Sequence, residues 1–277
     1  MGDRTANIWQ ALQREVEQPE AQIDLAKAAL YIAQVEYPEL DPAAPLAQLD
    51  AMADVLGDRL PAQRYPLKVI QTINQYLFEE LGFYGNQEAY YDPRNSFLNA
   101  VLERRTGIPL SLSLVYLALA KRIDFPMVGI GMPGHFIIRP RVAEMEVYVD
   151  PFHGGELLFA PDCEQRLSEV YRRPIQLQPE MLPQVLPEVT ARQCLVRMLS
   201  NLKVIYLKNS QLAQALWTID GLLVLRPDAP QERRDRGLVL YELERWPEAQ
   251  ASLEQYLHSL PQAEDRSVIE QLLQDMS

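Results

Sequence analysis

Three polar groups stand in an order that suits acyl-transfer chemistry. They are a serine pair in GIPLSLS (107–113), a histidine in PGHFIIRP (133–140) and an aspartate in YVDPF (148–152). Ser111 and Ser113 fall at the start of a helix entered through Pro109, His135 opens a strand, and Asp150 closes another. A helix start presents unbonded backbone N–H groups and a positive dipole end, which stabilise an anionic nucleophile or an oxyanion. An imidazole removes a nucleophile's proton, and a carboxylate fixes the imidazole tautomer. Hydroxyls at a helix start also have a structural use, the capping of backbone N–H groups, and the two uses stand side by side here.

The remaining reactive side chains carry weaker signals. The two cysteines, Cys163 and Cys194, cannot build a disulfide framework and suit a reducing cytosol. His153, beside a Gly-Gly pair, reads as a turn residue, and His258 as a surface residue on a repeat helix. The chain has three histidines, none at ligand spacing from a cysteine, so no zinc site is expected. MPGH and FHGGE match no phosphate loop, and no dinucleotide fingerprint is present, so no cofactor is expected. Glu103, Arg104 and Arg105 read as a solvated helix end, the other reading being that Arg104 or Arg105 pairs with Asp92.

The elements that must position these groups follow from periodicity. Ile8, Trp9, Leu12 and Val16 share a helical face, as do Leu46, Leu49, Met52, Ala53, Leu56 and Leu60, and then Ile70, Ile73, Leu77 and Leu81. GFYGNQEAYYDPRN (82–95) breaks the pattern and reads as a loop whose aromatic residues hold it down. Ser96 is expected to cap a helix that stops at Gly107, with Asn99 in the position of the usual Glu or Gln. Pro109 then starts a helix whose run SLSLVYLALAKR is apolar on nearly every side, the mark of a buried central helix. PMVGIG (126–131), HFIIRP (135–140) and EVYVD (146–150) read as successive antiparallel strands. A short helix follows near Cys163–Tyr171, and then a segment with prolines at 174, 179, 183 and 187, where a linker (174–187) is placed.

Beyond it the chain repeats. Leu207 and Tyr241, Ala215 and Ala249, Leu223 and Leu257, and Pro227 and Pro261 are matched at an offset of 34 positions. That is the period of the tetratricopeptide helix-turn-helix unit. The pairs are expected near 196–208 with 211–225 and 231–244 with 247–260, and 263–275 serves as a capping helix. Composition limits the partners. With 26 Lys and Arg against 38 Asp and Glu, the formal charge is −12, which disfavours nucleic acid and anionic membranes. No apolar run suggests a membrane helix, and MGDRTANIWQALQREVEQ has no signal-peptide core, so a cytoplasmic location is expected.

NSFLNAVLERRTGIPLSLSLVYLALAKR, GIGMPGHFIIRP and YVDPFHGGELL together resemble the SirB-type transglutaminase-like proteins, a transglutaminase-like domain followed by tetratricopeptide repeats. The resemblance covers about 45 to 260. It implies an α+β fold: a mainly helical N-terminal region, a papain/transglutaminase-like core of a buried helix and an antiparallel sheet, and an all-α repeat region. The domains expected are 1–173, the linker, and 188–277. By position it carries the family's histidine to His135, its aspartate to Asp150 and its nucleophile to Ser111 or Ser113, where true transglutaminases need cysteine. A serine hydroxyl is far less acidic than a thiol, so geometry suited to sulfur does not automatically serve oxygen. The resemblance therefore implies a protein-interaction or adaptor protein with an inert cleft, its repeats or cleft holding a protein or peptide. The alternative is a serine-dependent hydrolase or acyltransferase. A third reading, a small-molecule-binding regulator, needs a closed apolar pocket near Tyr90, Tyr91 and His135.

Overall fold

The computed structural model describes residues 3–142 and 145–276. In chain order the elements begin with α1 (Asp3–Val16), α2 (Leu25–Glu36), α3 (Ala43–Arg59), α4 (Pro66–Asn74) and the short strand β1 (Tyr84–Gly85). Next come α5 (Leu98–Arg104), β2 (Thr106–Gly107), α6 (Pro109–Arg122), β3 (Met127–Met132), β4 (His135–Pro140), β5 (Tyr148–Asp150) and β6 (Glu156–Leu158). The rest are α7 (Ala160–Tyr171), α8 (Leu182–Val185), β7 (Glu188–Val189), α9 (Ala191–Lys208), α10 (Leu212–Leu225), α11 (Pro230–Glu242), α12 (Trp246–Ser259) and α13 (Arg266–Asp275). The fold class is α+β, mostly helical with one small antiparallel sheet. No helix among the described residues is long and apolar enough to cross a membrane.

The chain forms two compact units, one of Gln18–Cys194, the other of the N-terminal helix together with the chain from Leu195 on. In the first unit the sheet runs β6-β5-β4-β3-β7, every neighbour antiparallel. The β3–β4 hairpin turns at Pro133 and Gly134, with Gly134 at φ +73°. Proline followed by a glycine with positive φ is the pairing of a type II turn. Val128, Ile130, Met132, Ile137 and Leu158 bury one sheet face against Cys163 and Leu167 of α7. The proline-bearing segment joins this core, with Leu182 and Leu186 buried in the same cluster. Helix α6 is buried on nearly all sides, as its apolar sequence demands, and it packs against α3, α5, β3 and β4.

One local expectation fails. Ser96 does not cap α5: its Oγ is buried without a hydrogen bond, as is Oδ1 of Asn99. A 3₁₀ turn at Pro93–Asn95 ends on Ser96 in helical conformation, so the extended residue before α5 is Phe97. A capping side chain needs that extended conformation. The 82–95 stretch also contains order that periodicity does not reveal, since β1 pairs in parallel with β2.

In the second unit, α9 with α10 and α11 with α12 are the repeated pairs, and Pro227 and Pro261 each follow a helix end. Ala215 and Ala249 are fully buried at the matched positions. Leu253, Tyr256, Leu257 and Ala263 pack against Ile269 of α13. At the other side α1 lays Trp9 against Trp217, ring centroids 6.4 Å apart. Gly221 makes this approach possible, because a Cβ there would lie 2.7 Å from the Trp9 ring and 3.1 Å from Leu199. Gly221→Val should therefore destabilise this unit by about 1–3 kcal/mol, the usual range for overpacking. Chemical denaturation followed by near-UV circular dichroism checks this; an unchanged midpoint contradicts the packing described.

Candidate functional site

Asp150 is the centre of the site. It ends β5 and is fully buried. Its Oδ1 accepts the backbone N–H of Phe152 at 3.1 Å, capping the 3₁₀ turn Pro151–His153. Its Oδ2 accepts from Nε2 of His135 at 2.8 Å, from Nδ1 of His153 at 2.8 Å, and from Nη1 of Arg166. Burial alone would raise the Asp150 pKa, but the bonds and charges of His135, His153 and Arg166 outweigh it and hold the carboxyl well below the usual range. Since a carboxylate only accepts, Nε2 of His135 carries the proton of this hydrogen bond.

Each partner is delivered by a different element. His135 is the first residue of β4, directly after the turn glycine, and Val170 of α7 lies 3.2 Å from where a Gly134 Cβ would be. His153 returns to Asp150 because the 3₁₀ turn brings the third residue back over its cap. Arg166 comes from α7, its Nη2 on Glu156 at 2.5 Å. From behind, Asn74 of α4 donates its Nδ2–H to the Gly155 carbonyl at 2.7 Å, and the Tyr116 hydroxyl of α6 donates to Asn74 at 3.1 Å. Phe152 stands edge-on to His135 (centroids 6.1 Å) and to Tyr90 (6.1 Å). Gly134, His135, His153, Glu156 and Arg166 line a cleft of about 420 Å³. Its charged and polar lining is not the closed apolar pocket expected of a small-molecule regulator.

The serines sit otherwise. Ser111, 1% exposed, accepts the Ile108 N–H at 3.0 Å, and its own hydroxyl faces the Asn95 carbonyl at 2.5 Å and that of Ile108 at 3.2 Å. All its hydrogen bonds go to backbone, the arrangement of a helix-start cap. Ser113 is fully buried and its Oγ has no hydrogen-bond partner. His135 and Asp150 are thus brought together, while neither hydroxyl is bonded to His135. Cys163 is fully buried in α7, and burial pushes its thiol up to about 11.

Two members of the cluster escape sequence reasoning. His153 reads as a turn residue and is one, yet the turn is what returns its ring to Asp150; the D-x-x-H spacing in DPFH is the available signal. Arg166 has no signal, because only the packing of α7 brings it in. Of the two readings of Arg104, the solvated helix end and the pairing with Asp92, the structure shows the second. Its guanidinium reaches Asp92 at 3.7 Å and Asn95 Oδ1 at 3.3 Å, because the turn at 93–95 folds both back over α5.

The comparisons agree with this architecture. The Transglutaminase-like superfamily matches residues 43–200, more than half of the sequence. The chain belongs to the transglutaminase-like superfamily. A Tetratricopeptide repeat match covers residues 202–274 of this transglutaminase-like protein. A UPF0162 protein of Xylella fastidiosa (strain 9a5c) is 34% identical over 92% of the chain and 90% of that protein, so the chain also belongs to the UPF0162 family. A UPF0162 protein of Vibrio cholerae is 34% identical over 60% of each chain. Human F-box only protein 21 is 29% identical over 65% of the chain and 29% of its own length. No solved structure matches.

The Asp150 cluster governs acid stability. Its stabilisation is complete above the ordinary carboxylate pKa of about 4 and is lost only as pH falls from there toward the depressed folded value. Asp150→Asn should cost about 3 kcal/mol near neutral pH, as expected when a buried ion pair loses one partner. The deficit relative to the parent should shrink below about pH 4, where the unfolded chain takes up a proton that the folded carboxylate refuses. Urea denaturation of both proteins across pH 3–7 checks the sign; a deficit that grows on acidification contradicts it.

Proposed function

We propose that this transglutaminase-like protein, of the SirB type, is a noncatalytic protein-interaction module. Its repeats, or the cleft beside His135, would hold a protein or peptide partner. The observation that carries the reading is the use of the Ser111 hydroxyl. It caps α6 and binds the Asn95 carbonyl, both backbone duties, where an acyl-transfer nucleophile would instead hydrogen-bond to the base. The buried Ser113 supports it, as does the Cys163 thiol, which burial keeps protonated at neutral pH. The repeats supply the interaction surface: stacked helix pairs expose a face shaped for a peptide or protein. The His135–Asp150 hydrogen bond is what favours the alternative, a serine-dependent hydrolase or acyltransferase.

A fluorophosphonate probe separates the two. The interaction module predicts no labelling of the full chain, and partner capture from native extract that survives His135→Ala. Ser111→Ala should cost about 1 kcal/mol of stability, the usual worth of a lost helix cap. Stoichiometric labelling that disappears in Ser111→Ala or Ser113→Ala, and in His135→Ala, would establish the enzyme instead.

A further inference from the structure

His135, Asp150 and His153 each offer one ligand atom within 4.8 Å of the others, and Nε2 of His135 and Nδ1 of His153 each stand 2.8 Å from Oδ2 of Asp150. Two imidazole nitrogens and one carboxylate oxygen are the donor set of a zinc site that leaves a fourth position to water, and here the Arg166 guanidinium stands on that oxygen, 3.4 Å from Nδ1 of His153. A tetrahedral zinc ion with bonds of about 2.0–2.1 Å places its ligand atoms about 3.3 Å apart. Both imidazole nitrogens stand 2.8 Å from the carboxylate oxygen, a few tenths of an ångström inside that spacing, so an ion enters as the side chains spread. We propose that His135, Asp150 and His153 bind a divalent transition-metal ion of the zinc class, and that the Arg166 guanidinium is the internal cation this ion displaces.

Three observations support the exchange. The Asp150 carboxylate is fully buried, and three donors converge on its single Oδ2, which marks a point that attracts positive charge from several directions. The other oxygen is fixed by the Phe152 N–H, so the carboxylate is oriented before any ion arrives. Arg166 can yield its place without leaving an acid unpaired, because its Nη2 is already on the half-exposed Glu156 at 2.5 Å, beside a cleft that receives the released arm. On binding, each imidazole transfers its N–H to its other ring nitrogen and presents a lone pair to the ion, so the step needs no redox partner. His135 and His153 lie on separate elements, and only the turn after β5 joins them; linear ligand spacing therefore misses the set. This inference is independent of whether the cleft is catalytic.

The test is a titration of metal-stripped full-length protein with zinc by calorimetry, and with cobalt(II) by visible absorption. One ion per chain is expected, with the d–d bands of a four-coordinate cobalt centre. Arg166→Gln should tighten binding by about tenfold or more, because a like charge beside the ion is removed. His153→Ala, a change of a partly exposed ring, should abolish the one-to-one phase while circular dichroism stays unchanged. His135→Ala should do the same. The proposal is overturned if neither the parent nor Arg166→Gln binds one ion per chain. It is equally overturned if zinc binds but His153→Ala and His135→Ala leave the isotherm unaltered. Neither result depends on partner capture or probe labelling, so it stands or falls apart from the interaction reading.

Discussion

A single buried oxygen organises one end of the first unit. The Asp150 carboxylate is removed from water and kept ionised by two imidazoles and a guanidinium. Burying a charge is costly unless it is paired and hydrogen-bonded, so each of these partners must be held in place by its own element. That requirement explains features that otherwise look unrelated. The turn glycine before His135 lets β4 begin where its first side chain meets β5. The 3₁₀ turn after Asp150 exists in part because the carboxylate caps it. Asn74 and Tyr116 brace the loop beyond the turn from two separate helices.

The same physics divides the two sets of polar groups that the sequence places in order. The histidine and aspartate lie on adjacent antiparallel strands, where pairing brings side chains on one face together. The serines lie in the first turns of a helix buried on nearly every side, and there the nearest unsatisfied groups are backbone ones. Ser111 answers to Ile108 and Asn95 before anything else. A resemblance in motif order therefore carries over to the dyad more directly than to the hydroxyls.

How much was legible in the residues depends on how local the cause is. Helix α6 could be read from Pro109 and an apolar run, the β3–β4 hairpin from Pro133–Gly134, and the repeated pairs from small and proline residues at a fixed offset. The family match and the repeat match agree with those readings. What escaped depended on backbone turns or on distant partners. Ser96 carries the composition of a cap, but the preceding 3₁₀ turn sets its backbone. For Arg104 both a solvated end and a pairing with Asp92 were legible, and the 92–95 turn decides for the pair. Arg166 is an unremarkable helix residue until α7 docks on the sheet. Pattern reading sees side-chain spacing over three or four residues; it sees neither the backbone angles of a turn such as 93–95 nor the docking of a helix such as α7.

The seating of α1 on α10 has a consequence for how the chain acquires its shape. Its apolar stripe of Ile8, Trp9, Leu12 and Val16 is buried, and Trp9 packs against Trp217, far away in sequence. Closure of so long a loop carries an entropic cost that grows only slowly with length, but the contact is slow to form. The helical repeat unit is thus assembled from two stretches of chain with the whole first unit between them, so its stability depends on a contact that no local sequence element can form alone.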